Sequence, residues 1–257
     1  MIDPIEKSSA ASKKEPLGAP SVTARALAVL AAFENSPGTL SVARIAQRAH
    51  LPLSTTYRLV HELEQWGALD KSSDGKFHVG MRIWELGQLA GRRLRDRRAR
   101  PFLQDLFDLT HENVHMAVRQ GTQVLYVDKI YGTKKVPVIS RVGGRLPLHA
   151  TAVGRVLLAA EPQWFIDAYL DKELEAPTVK TTINREELAA EIKEVARKGY
   201  SIAIEQMRMG ASSVAVPLVL EGETVGAIGL VLEAQRSSEI ARLLPLLQGT
   251  ADRIRNS

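Results

Sequence analysis

Six polar residues within eight positions, Ser54, Thr55, Thr56, Tyr57, Arg58 and His61, carry the chemistry of nucleic-acid reading. Short hydroxyls donate to phosphate oxygens, and a guanidinium can hold a guanine edge through two hydrogen bonds, worth roughly 1–3 kcal/mol of discrimination. Lys71 and Lys76 follow closely, where ammonium groups meeting phosphate add affinity more than specificity. Arg25 and Arg44, upstream, complete the candidate DNA-contacting set. A second constellation, His111-Glu112-Asn113-Val114-His115, matches the H-E-x-x-H pattern of zinc hydrolases. That chemistry needs both imidazoles on one helical face, but the helix is expected to end near Asn113, and His115 opens an alternating strand, HMAVRQG. A metal-dependent hydrolase using His111 and His115 is therefore the minor alternative. The competing reading makes His111 a helix-end cation and His115 a half-buried strand residue, with no metal, cofactor or catalytic residue expected.

The elements that must position the first set are legible around it. Ser41 can N-cap a helix whose buried stripe is Val42, Ile45, Ala46 and Ala49, and His50-Leu51-Pro52 breaks it. A second helix starts near Ser54, runs through Tyr57, Val60 and Leu63, and stops at Gly67. Two short strands follow, Ala68–Lys71 and Lys76–Val79, turned by Asp74-Gly75. An earlier helix, Val22 to Phe33, buries Ala26, Leu27, Leu30 and Phe33 and completes a three-helix unit. The pattern is a winged helix-turn-helix over residues 21–80, its second short helix placed to enter a major groove.

Charge follows this division. The chain of 257 residues carries net charge +5, with 16 Lys/Arg against 10 Asp/Glu in residues 1–100 and 18 against 19 in the remainder. A basic half joined to a nearly neutral one suits a nucleic-acid partner for the first half. Much of the excess lies in GRRLRDRRAR, whose Arg92, Arg93, Arg95, Arg97, Arg98 and Arg100 either touch phosphate or form a solvated helix between domains. With 45% apolar residues the chain can bury two cores. No apolar run approaches the ~20 residues that span a bilayer and residues 1–20 hold no signal-peptide core, so a cytoplasmic protein without membrane partner is expected. The absence of cysteine excludes disulfides, thiol nucleophiles and thiolate zinc sites. Residues 1–20, rich in Ser, Ala, Lys and Pro, are expected to be a disordered arm.

Met81–Arg92 is expected to be a helical connector, part of a linker over 81–100, with Trp84, Leu86 and Leu89 available for a neighbouring subunit. Pro101 opens a helix burying Leu103, Leu106, Phe107 and Leu109. Strand patterns then appear at Val114–Val118, Val124–Ile130 and Val136–Arg141, with Gln120-Gly121 turning the first pair. Helices are expected at Thr151–Glu161, Asn184–Lys198 and Ser238–Ile254, and a hairpin at Ser213–Val219 and Thr224–Leu232 about Glu221-Gly222. Short turns imply an antiparallel sheet, hence an α+β domain over 101–257.

The winged helix, the run Gly144-Arg145-Leu146-Pro147-Leu148-His149-Ala150-Thr151-Ala152-Val153-Gly154-Arg155 and the segment Gly199-Tyr200-Ser201-Ile202 through Pro217 together resemble the IclR family of bacterial transcriptional regulators, over about residues 21–254. The resemblance implies a winged helix-turn-helix, a helical linker pairing subunits, and a GAF-like effector-binding domain with an antiparallel sheet and flanking helices. It further implies homodimers or dimers of dimers on palindromic promoter DNA, controlled by small organic effectors and most commonly repressing a catabolic operon until ligand arrives; activation uses the same parts. The family's pocket falls here on Leu146, Ala152, Val153, Ala203, Ala211, Ser213, Gly229 and Val231. Relative to members that bind two- or three-carbon acids, Ala203 replaces an acidic residue, Gly229 and Val231 replace serines, and Ser213 stands where cysteine can occur. Fewer hydroxyls and more space favour a less polar ligand, an aromatic acid or amide, whose carboxylate or carbonyl can meet the backbone N–H groups at the start of the 151–161 helix. Ligand binding would alter the spacing of paired recognition helices, whose half-sites lie about 34–36 Å apart.

Overall fold

The computed structural model describes residues 20–34, 38–89, 99–132, 136 and 139–257. They form two compact units, one within Met1–Ala90 and one within Gly91–Ser257, and the architecture is α+β. The expected N-terminal arm but for Pro20, and all of the arginine run but Arg100, lie outside the described residues.

In the first unit, α1 (Val22–Ala31), α2 (Val42–Ala49) and α3 (Leu53–Trp66) precede the wing strands β1 (Leu69–Lys71) and β2 (Phe77–Val79) and the helix α4 (Met81–Leu89). Local chemistry sets the ends. Ser41 Oγ accepts from Arg44 N at 3.3 Å, and Gly67, at φ +83°, ends α3 in the left-handed region where L side chains are strained. His50 closes α2 in the same conformation without being glycine. Leu40 exchanges two backbone hydrogen bonds of 2.8 Å with Phe77, bridging the segment before α2 to the wing. The core comprises Val29, Phe33, Ile45, Leu59, Val60, Leu69 and Phe77.

Two expectations shift here. Of the expected α1 stripe, Phe33 is buried just beyond the helix and Ala26 and Leu30 pack half-buried against the core beside Val29, but Leu27, two residues from Val29 and so on the opposite side of the helix, is 61% exposed. In α3 the buried residues are Thr56, Leu59 and Val60, leaving Tyr57 outward. The connector helix is described only to Leu89, and its Trp84, Leu86 and Leu89 are all exposed on the single chain.

The second unit begins with α5 (Ala99–Thr110), then β3 (Asn113–Gln120), β4 (Gln123–Ile130), β5 (Arg145–Pro147), α6 (Ala152–Ala159), α7 (Gln163–Leu170), α8 (Arg185–Lys198), β6 (Ser201–Ile204), β7 (Ala211–Leu220) and β8 (Glu223–Glu233). A 3₁₀ turn, Ala234–Glu239, leads into α9 (Ile240–Arg255). The sheet is antiparallel, in the order β5-β4-β3-β8-β7-β6. One face buries Ala117, Tyr126, Ala203, Ala215 and Ala227 under α6, with α7 and α8 outside it. The other buries Met116, Val216, Ile228 and Leu230 against α5 and α9. Small residues on the first face let α6, buried from Ala152 to Leu158, lie close to the strands.

None of the described residues of the expected strand Val136–Arg141 is in a strand. The chain instead turns at Gly143-Gly144, whose backbone bonds to Tyr126, and β4 takes Arg145–Pro147 as its edge partner. The helix expected to reach Asn113 ends at Thr110, and Leu109, expected in its core, is 66% exposed.

Candidate DNA interface and effector cavity

The first turn of α3 is preceded by Pro52, which supplies no side-chain cap, so the leading N–H groups of the helix remain available to a phosphate. Ser54, Tyr57, Arg58 and His61 are exposed along this helix and Thr55 is half-buried. Thr56 is the exception. It is fully buried and its hydroxyl donates to Pro52 O at 3.0 Å, so its side chain fastens the first turn and is withdrawn from the DNA-contacting set. Arg58 Nε stands 3.8 Å from Glu62, a solvent-exposed pair that costs little to open. His61 Nε2 lies 3.1 Å from Gln65 Nε2. On the wing, Lys76 Nζ holds Asp74 at 2.7 Å across the turn, and Lys71 is exposed. Arg44 is exposed and bonded to Gln47, whereas Arg25 is half-buried on α1. Ser54, Thr55, Tyr57, Arg58 and His61 thus sit on one helix, with the two wing lysines on the hairpin that follows it.

In the second unit, a cleft partly open to solvent lies between α6 and the sheet, and all eight residues expected at the pocket border it: Leu146, Ala152, Val153, Ala203, Ala211, Ser213, Gly229 and Val231. Gly229 lets Val153 of α6 come close to the sheet, since a Cβ there would lie 2.9 Å from Val214 O and 3.1 Å from Val153 Cγ1. Thr151 caps α6 by accepting from Gly154 N at 3.1 Å, which leaves the N–H groups of Ala152 and Val153 without an intrahelical partner at residues lining the cavity.

The polar lining escaped the sequence reading. His115, Tyr126, Ser140, Thr151, Gln206 and Arg208 all border the cavity. His115, expected half-buried, is 3% exposed, and burial together with the nearby Lys129 ammonium lowers its pKa to about 3, so the ring is neutral. Burial likewise pushes the Tyr126 phenol well above its usual range. Lys129 is itself shifted down by burial and donates to Ser140 O at 2.9 Å. Gln206 is held from behind by Arg155, a buried guanidinium on α6 that donates to Gln206 Oε1 at 2.7 Å and to His149 O at 2.6 Å and pairs with Glu191 at 3.0 Å. Arg208, exposed at the rim, has no carboxylate partner among the described residues. Of these, only His115 was singled out in the sequence, and there as a half-buried strand residue and not as part of the pocket.

The zinc-hydrolase alternative is overturned. His111 sits beyond the end of α5 at φ +55° and His115 on β3, so they never share a helical face, and the described residues hold no group of three ligands able to bind a metal. No helix among the described residues is long and apolar enough to cross a membrane.

A winged helix-turn-helix joined to a domain with a ligand-sized cavity defines an effector-responsive DNA-binding regulator. Residues 91–256 match the bacterial transcriptional regulator IclR C-terminal domain and residues 22–73 the IclR helix-turn-helix domain, and the chain belongs to the IclR family. It is 30% identical over 185 residues to the HTH-type transcriptional regulator KipR of Bacillus subtilis, covering 71% of this chain and 74% of that protein. It is also 30% identical over 191 residues to the HTH-type transcriptional repressor AllR of Escherichia coli, covering 72% and 70%. The crystal structure of an IclR homolog from Microbacterium hydrocarbonoxydans, complexed with 4-hydroxybenzoate, superposes with a TM-score of 0.87 at 30% identity, covering 92% of this chain and 98% of that one. These relatives and both matched domains are those of transcriptional regulators, and the protein is a transcriptional regulator and not an enzyme.

Proposed function

We propose that the protein represses a catabolic operon in the cytoplasm, binding promoter DNA as a homodimer or dimer of dimers and releasing it when an aromatic organic acid or amide fills the cavity. Residues 21–80 read the DNA, 81–100 link the subunits and 101–257 sense the effector. Ser54, Thr55, Tyr57, Arg58, His61, Lys71, Lys76 and Arg44 make the contacts, with Arg25 set back on α1. The exposed Trp84, Leu86 and Leu89 of α4 supply an apolar surface for the partner subunit.

The observation that carries the effector reading is a largely apolar cleft whose lining also includes groups suited to an anion. Gly229, Val231, Ala152 and Val153 offer flat, small-residue walls for a ring, and the free N–H groups at the start of α6 together with the Arg208 guanidinium suit a carboxylate. A two- or three-carbon acid would leave much of the apolar wall wet. The Microbacterium relative with 4-hydroxybenzoate bound supports the same ligand class.

The test is fluorescence anisotropy of the purified protein on the DNA upstream of its own gene, titrated with aromatic acids and amides against scrambled competitor. Specific binding that one of these compounds releases is the expected result. Specific binding strengthened by the compound makes the protein an activator or co-repressed regulator, and indifference to the whole panel discards the aromatic effector.

A further inference from the structure

The wing and α4 both come back to the C-terminus of α3. Gly67 ends that helix, and the Ala68 N–H donates back to Leu63 O at 2.8 Å, so the chain leaves α3 in a fixed direction. After β2 the chain returns to the same turn, where Gly80 N donates to Ala68 O at 2.9 Å. A Cβ at Gly80 would stand 2.3 Å from Gly67 O and 3.2 Å from the Ala68 carbonyl carbon, so backbone lies on backbone there and a side chain would push the two turns apart. α4 starts at the next residue. Its Arg82 guanidinium lies over the Trp66 ring, 4.8 Å from the centroid, and the Arg82 side chain runs past Gly67, where a Cβ would lie 3.4 Å from Arg82 Cβ. Trp66 is the last residue of α3, so the root of α4 is seated on the end of the DNA-reading helix. Beyond that root, α4 has no buried residue and no extensive contact with another helix or strand among the described residues.

We propose that this joint, Gly80 against Gly67 and Arg82 over Trp66, is a positioning device that fixes the angle between α4 and α3 and thereby sets the spacing of the two DNA half-sites. This rests on the subunit pairing through α4 proposed above and adds how that pairing becomes a distance along DNA. With α4 of each subunit held against its partner, the angle at each joint decides where the two α3 helices stand. The 14 residues of α3 make a lever of about 21 Å from Trp66 back to its first turn, which carries Ser54 and Thr55. A swing of about 10° at the joint moves that reading end by about 3.6 Å, close to one base-pair step. None of the four joint residues lies in that first turn, so their effect on DNA is on where the contacts fall and not on which base each contact reads.

The experiment is selection from a random double-stranded DNA library by the full chain, followed by anisotropy on the selected site and on versions with one or two base pairs inserted or removed between its half-sites. Wild type is expected to return two copies of one half-site at a single spacing and to lose affinity about tenfold or more when the spacing changes by one base pair, the worth of one or two base contacts. Gly80→Ala, and Trp66→Ala combined with Arg82→Ala, should return the same half-site sequence at several spacings, with the loss for one inserted pair cut to about threefold or less. Variants that keep the wild-type spacing preference overturn the proposal and leave pairing through α4 intact. Variants that lose the half-site sequence itself, or that sediment as monomers, also overturn it, because the joint then serves the fold of α3 or the pairing and not the angle. A wild type that selects only unpaired half-sites, or no sequence, removes the pairing reading and this inference with it. Should Gly80→Ala not fold, as judged by circular dichroism, the variant lacking Trp66 and Arg82 decides.

Discussion

Arg58 is the side chain on α3 best suited to read a base: it is exposed, held only by a 3.8 Å contact to Glu62, and long enough to reach a groove. Arg58→Ala should cost roughly 1–3 kcal/mol at one base pair and flatten preference there without changing the melting temperature, checked by anisotropy on operators substituted one pair at a time. An unchanged preference profile would take Arg58 out of the reading set. His115 gives a second residue-scale outcome. Its folded pKa of about 3 lies below the ordinary imidazole value of 6.5, so between those pH values the unfolded chain binds more protons and stability falls as pH falls. The slope contributed by this one group approaches about 1.4 kcal/mol per pH unit inside the window and vanishes above it. Denaturant melts from pH 7 to pH 4 should show a shallower decline in His115→Leu than in wild type. The apolar lining of the cavity was legible through its motif, but His115, Gln206 and Arg208 were not. A polar residue on a strand buried on both faces has the same local pattern as one facing water, and the loop between β6 and β7 has no period to read.

Elements with chemical punctuation were legible in the chain. Ser41 caps the helix it was expected to cap, the helix expected over Asn184–Lys198 forms as α8 with Asn184 as its N-cap, and Glu221 and Gly222, at φ +52° and +83°, turn the β7–β8 hairpin. Short elements held by tertiary contacts were not: β5 exists because β4 offers an edge to Arg145–Pro147, and α7 because Ile166 and Tyr169 have a core to enter. Thr56 shows the same limit, since a threonine between two other hydroxyl residues gives no local sign that its own hydroxyl turns back to Pro52. The element on which the cavity depends most is α6, and its weakest point is Gly154. A Cβ there would lie 2.2 Å from Leu148 O and 2.5 Å from Thr151 Oγ1, so the helix start could not stay where it is. Gly154→Ala should therefore destabilise the second unit by about 1–3 kcal/mol or more, the usual cost of overpacking, and weaken effector binding beyond what the stability loss explains. Calorimetry of the variant beside ligand titration checks both, and a neutral substitution would mean that α6 can slide. Ser41→Ala tests the other unit, with a loss of about 1 kcal/mol expected from the missing cap.

At the scale of the whole molecule, two units of different charge must exchange free energy. The basic excess lies in the first 100 residues, so DNA affinity should fall steeply with salt, the logarithm of the binding constant dropping with a slope of about −0.9 for each phosphate neutralised. The effector cavity lies in the nearly neutral unit and should feel little of that screening. Salt can therefore separate the two binding events, and a regulator of this kind is then defined by what remains coupled. If the effector lowers operator affinity by some factor, the operator must lower effector affinity by the same factor, because both numbers describe one coupling free energy, typically 1–3 kcal/mol. The prediction is a matched pair: the ratio of operator Kd values with and without saturating effector should equal the ratio of effector Kd values with and without saturating operator, at each salt concentration. Anisotropy gives the first ratio and titration calorimetry the second. Unequal ratios would mean that the ligand acts through a change in subunit assembly outside the two-site cycle, and ratios of one would mean that the cavity, although filled, does not control the DNA-reading helix.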